Sequence, residues 1–199
     1  MILSHKQQII KRVFDLIFSL IGLVLCFIPI LLLVLIATVI TRRFGLFMQH
    51  RVGRNAKLFK IFKIRTMKHP YDDNFITLRD DPRLNFLGKI LRKYHLDELP
   101  QLFNVLIGDM SFVGPRPDVA GYADMLQGDD RIVLSVRPGI TGPATLKYKN
   151  EDVLLAQQID PKKYNDTIIW KEKVRINKEY IMNWTLLGDI NYIFKTIFN

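Results

Sequence analysis

Cysteine occurs once in the 199 residues, at Cys26. A lone thiol closes no intrachain disulfide, so the fold depends on a packed core in a compartment that needs no disulfides, most simply the cytoplasm. Acidic residues are nearly missing from the first 60 positions, which hold Asp15 alone against nine Lys and Arg and carry +8 of the chain's net +10. Internal repeats and low-complexity tracts are absent, as are a Gly-x-Ser-x-Gly elbow, a P-loop and a dinucleotide fingerprint. Those gaps exclude the commonest serine-hydrolase, nucleotidase and dinucleotide-binding readings. The four histidines, His5, His50, His69 and His95, are scattered with no cysteine to join them, which argues against a zinc site.

What is present starts with size and charge. A chain of 23.3 kDa is long enough for one compact domain with a real core. A pI near 9.7 predicts anionic partners. The basic residues bracket an apolar run, Lys6, Lys11 and Arg12 before it and Arg42, Arg43, Arg51 and Arg54 after it, which favours a membrane surface over nucleic acid.

Leu16 to Ile40 contains no charged side chain. At about 1.5 Å per residue it would reach about 37 Å, enough to cross a bilayer core of about 30 Å, and it is too long for a cleavable signal peptide. Pro29 in its middle predicts a kink. Two basic flanks each favour the cytoplasmic side, which a kinked hairpin satisfies and a kinked spanning helix does not. Asp15 follows Lys11 by four residues and Arg12 by three, spacings that allow a helix-face ion pair.

Past the apolar run, Leu58 to Arg65 alternates loosely and predicts a short strand between Phe47 and Met67. His69 to Phe75 predicts a turn-rich loop. Asp80-Asp81-Pro82 predicts a helix start, and Leu84, Leu87, Leu91 and Tyr94 opposite Arg83, Lys89, Arg92 and Lys93 predict an amphipathic helix. The pattern resets at Asp97-Glu98, where Asp97 suits an N-cap for a second helix from Pro100 to Ile107, ended by Gly108-Asp109. A short helix is expected near Asp118 to Leu126 and a strand over Ile132 to Val136. Arg137-Pro138-Gly139-Ile140-Thr141-Gly142-Pro143 predicts a rigid loop whose Gly139 and Gly142 permit close backbone approach, to a ligand or within a plain turn. A charged helix is expected from Asp160-Pro161 to Asn183. The tail Trp184 to Phe198 predicts an interfacial or core-packed helix, with Trp184 and Tyr192 at interface-favoured positions.

One constellation carries chemistry. Asp97, at a helix start and near Arg92 and Lys93, is held ionised, and such a carboxylate serves as a cap, a metal ligand or a nucleophile toward phosphorus. Arg92, Arg116 between its two prolines, Lys63 and the Pro-Gly loops are the donors a phosphoryl-transfer site needs.

The blocks Asp81-Pro82-Arg83, Leu87 to Lys93, Leu96-Asp97-Glu98-Leu99-Pro100-Gln101-Leu102-Phe103-Asn104, Gly108-Asp109-Met110-Ser111, Val113-Gly114-Pro115-Arg116-Pro117 and Pro138-Gly139-Ile140-Thr141-Gly142 closely resemble the bacterial sugar transferase family. The resemblance begins at Lys11-Arg12-Val13-Phe14-Asp15 and covers nearly the whole chain. It implies a small monotopic phosphoglycosyl transferase at the cytoplasmic face of the bacterial inner membrane. The implied reaction moves a phosphosugar from a UDP-sugar to polyprenyl (undecaprenyl) phosphate with Mg²⁺, through a covalent aspartyl intermediate and with release of UMP. By matching position, Asp97 resembles the nucleophile and magnesium ligand, and Glu98 its dyad partner. Lys63, Arg92 and Arg116 match phosphate-binding positions, and Arg137, Gly139 and Thr141 fall in a substrate loop. Lys11, Arg12 and Asp15 would lie at headgroup level beside a re-entrant helix broken at Pro29. The implied fold is α+β and mostly α, with residues 1–45 as membrane anchor and 46–199 as a catalytic domain with short strands and amphipathic interfacial helices. The rival reading is a non-catalytic membrane-surface binding protein that keeps the fold. The sequence departs from the family's habit at Tyr94-His95, at Ile28 before the proline, and at Gly142-Pro143-Ala144-Thr145-Leu146.

Overall fold

The computed structural model describes residues 3–67 and 84–198. Its longest element is helix α1, His5–Thr41. Ser4 starts it with a capping box, accepting from the Gln7 backbone while the Gln7 side chain accepts from the Ser4 N–H at 2.8 Å. The helix is unbroken at Pro29 and ends where Arg42 turns left-handed at φ 52°. By length and composition it is apolar enough to cross a membrane, and its midsection, including Val24, Leu25, Phe27 and Ile28, is exposed.

Both sections of α1 rest on the same domain. Before Pro29, Gly22 lies so close to Leu102 that a Cβ there would stand 3.2 Å from the leucine side chain. After Pro29, Leu33, Val34 and Ala37 pack with Ile64, Leu87, Leu91 and Leu96. Gly45 crosses directly over this section, since a Cβ on it would meet the Val34 carbonyl at 2.0 Å. Its N–H donates to Thr38 Oγ1.

The expected strand between Phe47 and Met67 is a pair. Strands β1, Leu46–Val52, and β2, Leu58–Ile64, run antiparallel with Leu46 opposite Ile64 and Val52 opposite Leu58. Helix α2, Phe86–Lys93, is capped by Asn85, whose side chain accepts from the Gly88 N–H. The expected start at Asp80-Asp81-Pro82 and the His69 to Phe75 loop lie outside the described residues. Gly88 sits against the Thr66 carbonyl, docking α2 beside the end of β2. Helix α3, Gln101–Ile107, ends at Gly108, φ 95°, as expected.

Two short strands, β3, Ser111–Val113, and β4, Gly139–Thr141, pair in parallel, so the expected second loop is partly strand. Ile132 to Val136 is not a strand: Gly128–Ser135 forms 3₁₀ turns. Val133 and Leu134 are both buried although adjacent, a placement that an alternating strand with one covered face cannot give. The helix expected from Asp118 to Leu126 shrinks to a 3₁₀ turn at Ala123–Met125.

Helices α4, Pro143–Lys147, and α5, Glu151–Ala156, lead to the charged helix. That helix comprises α6, Pro161–Tyr164, a wider-turned stretch Asn165–Ile169, and α7, Trp170–Met182, with Asp160 as its cap. Helix α8, Leu186–Phe198, follows. The core under it joins Val113, Val136, Tyr180, Ile181 and Trp184. Burying side chains of this kind contributes about 1.5–3 kcal/mol each.

Candidate active site

The α2–α3 connection makes the site. His95 takes a left-handed conformation, φ 54°, which turns the chain sharply out of α2 into a 3₁₀ turn, Leu96–Glu98. That turn buries two adjacent carboxylates, Asp97 and Glu98. Leu91 and Leu96 pack the turn against Ile64, so β2 runs past it and brings Lys63 alongside. Asn104 fixes this strand from within α3: fully buried, its side chain accepts from Phe62 N–H at 3.0 Å and donates to the Lys60 carbonyl at 2.7 Å.

Glu98 is the hub. Its Oε1 accepts from Lys63 Nζ at 2.8 Å and from Arg116 Nη2 at 3.0 Å. Burial alone would raise its pKa, but the two cations outweigh burial and hold the carboxyl far below the usual range. Asp97 differs. Burial pushes its pKa up, with Glu98 adding to the rise, against the pull of Lys63, Arg92 and Arg116. Nor is Asp97 the expected helix cap. The α3 cap position is Pro100 and no side chain caps it, because the intervening 3₁₀ turn carries Asp97 away from the α3 terminus. Among the described residues nothing hydrogen-bonds the Asp97 carboxylate, which leaves it available to a ligand.

Arg116 reaches Glu98 from the Pro115-Arg116-Pro117 support, and the crossing of β3 and β4 holds that support. A Cβ on Gly114 would lie 2.5 Å from the Arg137 carbonyl, and one on Gly139 would lie 2.1 Å from the Gly114 nitrogen. The close approach at Gly139 and Gly142 is therefore backbone to backbone, although Gly139 also borders the cleft. That cleft, about 250 Å³ and open to solvent, is lined by Arg51, Lys63, Glu98, Gln101, Arg116 and Pro117 among others.

The structure thus brings together Asp97, Glu98, Lys63 and Arg116, with Arg92 near enough to act on Asp97 and bonded through Nε to Thr66 Oγ1. It does not bring Arg137 or Thr141 to them. Arg137 Nε donates to the Gly108 carbonyl and faces a second cleft with Gln8, Arg54 and Ser135. Thr141 is buried and bonds Thr196 Oγ1 at 2.6 Å. Lys11 and Asp15 are buried within the protein and do not form the expected ion pair, because each finds a nearer partner in the domain. Lys11 pairs with Asp189 at 2.5 Å, and Asp15 accepts from Ser111 Oγ and Phe112 N–H. Arg12 donates to the carbonyls of Val105 and Leu106 in the last turn of α3, where Val105 also accepts from the Gly108 N–H.

Sequence reasoning missed Gln101, Asn104 and Asp118. Gln101 and Asn104 were detectable as polar side chains in an otherwise apolar helix, Gln101 one turn past the acidic pair. Asp118, half-buried near Lys173, Arg51 and Arg116, carries no such signal.

Among the described residues no three His, Cys, Asp or Glu side chains gather to hold a metal ion. Mg²⁺ does not require such a cage, since one or two carboxylates suffice when substrate phosphates and water complete its octahedron. The unengaged Asp97 fits that demand.

A family model described as bacterial sugar transferase matches residues 6–199. The chain belongs to the bacterial sugar transferase family. It is 32% identical over 205 residues to the exopolysaccharide production protein ExoY of Sinorhizobium fredii, covering 94% of this chain and 83% of that protein. It is 33% identical to the undecaprenyl-phosphate galactose phosphotransferase of Salmonella typhimurium and 36% identical to the undecaprenyl-phosphate glucose phosphotransferase of Komagataeibacter xylinus. Those matches take in 97% and 98% of this sugar transferase, but only 40% and 36% of the longer relatives.

Proposed function

We propose that this enzyme is a phosphoglycosyl transferase that moves a sugar phosphate from a UDP-sugar to polyprenyl phosphate at a membrane surface. The observation that carries the reading is the divided pair: Glu98 is bound by Lys63 and Arg116, while Asp97 beside it is buried and has no hydrogen-bond partner among the described residues. Undecaprenyl phosphate as acceptor is supported by the names of the Salmonella and Komagataeibacter relatives.

In this reading a carboxylate oxygen of Asp97 attacks the sugar-bearing phosphorus, the bond to the bridging oxygen breaks, and UMP leaves with that electron pair. An oxygen of polyprenyl phosphate then attacks the same phosphorus, freeing Asp97 and forming the diphosphate link. Lys63 and Arg116 hold positive charge where phosphoryl oxygens would gather. Glu98 keeps both cations in place. Asp97 would hold Mg²⁺, which when bound supplies charge neutralisation at the pyrophosphate. Raised by burial, Asp97 gains most from nearby positive charge before it can attack.

The same reading divides the chain into an anchor, residues 1–45, and a catalytic domain, 46–199, on the cytoplasmic face. A re-entrant α1 is supported by a contact between its two flanks: Arg54 Nη2 donates to Gln8 Oε1 at 3.0 Å. These residues lie on either side of the apolar run, and the intervening β1 carries Gln49, His50 and Arg51, which are ill-suited to cross lipid.

UMP release by detergent-solubilised enzyme with Mg²⁺, polyprenyl phosphate and a panel of UDP-sugars tests the reading. Asp97→Asn should lose turnover by about a thousandfold or more. Wild-type activity in that variant would overturn Asp97 as nucleophile.

A further inference from the structure

The first residue of α3 is a buried donor with nothing to donate to. Gln101 is 2% exposed, and its carboxamide nitrogen has no hydrogen-bond partner among the described residues. It lines the cleft beside Lys63, Glu98 and Arg116. Leu99 and Pro100 hold right-handed helical angles, so the trace continues from the 3₁₀ turn into α3. Gln101 follows Asp97 by four residues and Glu98 by three, spacings that share one helix face. Its amide therefore stands one turn along from the carboxylates, over the same cleft.

A buried amide left unpaired costs stability, and an apolar side chain of similar shape would escape that cost. Lys63 and Arg116 are each held by a bond to Glu98, whereas the Gln101 amide is held by nothing among the described residues. An acceptor that arrives with a ligand in the cleft would satisfy Gln101. We propose that Gln101 is a substrate-binding residue whose carboxamide N–H donates to a non-bridging oxygen of the phosphoryl group that Asp97 attacks. This inference rests on the phosphosugar-transfer reading. A neutral donor has a specific use there, because it adds a hydrogen bond to the phosphoryl oxygens without drawing either cation off Glu98.

Gln101→Leu in the full chain tests it. Its Tm should equal or exceed that of the wild type. Its kcat/KM for UMP release, with whichever of UDP-glucose and UDP-galactose the wild type turns over, should fall about tenfold or more. Wild-type kcat/KM in the variant overturns the role, and so does a loss of activity that tracks a loss of Tm, the mark of a structural glutamine. The rise in Tm caused by UDP gives a readout that needs no turnover and should be smaller in Gln101→Leu than in wild type. Equal rises overturn the role of Gln101. A smaller rise in the variant, in an enzyme that releases no UMP from any donor, upholds the Gln101 contact and overturns the transfer reading instead.

Discussion

Arg116 favours the ionised form of two nearby carboxyl groups, yet they shift in opposite directions, and direct contact makes the difference. Glu98 is bonded to both Arg116 and Lys63 and stays ionised well below the usual range. Asp118 is near Lys173, Arg51 and Arg116, yet burial prevails and pushes its pKa from 3.8 up to about 6. A carboxyl whose folded-state pKa is raised adds stability that is fully present below its unfolded pKa and is lost as pH rises through the folded value. Asp118→Asn, which mimics the protonated form, should match wild type near pH 4 and exceed it at pH 7.5. Asp118 is half-buried, so solvent screening holds the gain to about 1 kcal/mol, or about 3 °C in Tm. Thermal melts at the two pH values check this, and a variant less stable than wild type at pH 7.5 would contradict it.

Between elements, the clearest tie joins the first helix to the last. Lys11 of α1 and Asp189 of α8 are both nearly inaccessible, and Asp189 also accepts from Tyr180 Oη at 2.7 Å and Trp184 Nε1 at 2.9 Å. Lys11→Met leaves that carboxylate with no cation and should cost about 3–5 kcal/mol. Adding Asp189→Asn should restore part of the loss, since a neutral amide tolerates the site better. Denaturant unfolding of both single variants and the double variant measures the coupling. This tie also marks where the sequence could be read and where it could not. Helices α2 and α8 were legible because one-sided apolar stripes announce themselves, and α3 because Pro100 and Gly108 bracket it. The burial of Trp184 was not, because its indole N–H is satisfied by a carboxylate that only the fold brings near. Lys11 and Asp15 sit at ideal spacing for a local ion pair, and each was claimed by a partner far along the chain. The acidic pair was visible as chemistry, but its division into a bound and a free carboxylate depends on Lys63 and Arg116 arriving from other elements.

Across the whole molecule, the exposed apolar midsection of α1 belongs in lipid while both its ends belong to one domain. In a chain with Cys26 replaced by serine, single cysteines at Lys6 and at Arg54 should react with an impermeant thiol reagent from the same side of sealed inverted vesicles. Labelling from opposite sides would establish a spanning helix. The junction of Lys11 with Asp189 has a further consequence, for the order of synthesis. The two residues are 178 positions apart, and Lys11 leaves the ribosome well before Asp189. Throughout translation its ammonium group must therefore remain in water or at the lipid headgroups. Only when α8 emerges can the lysine be drawn inside, so the final seating of α1 waits on the synthesis of α8.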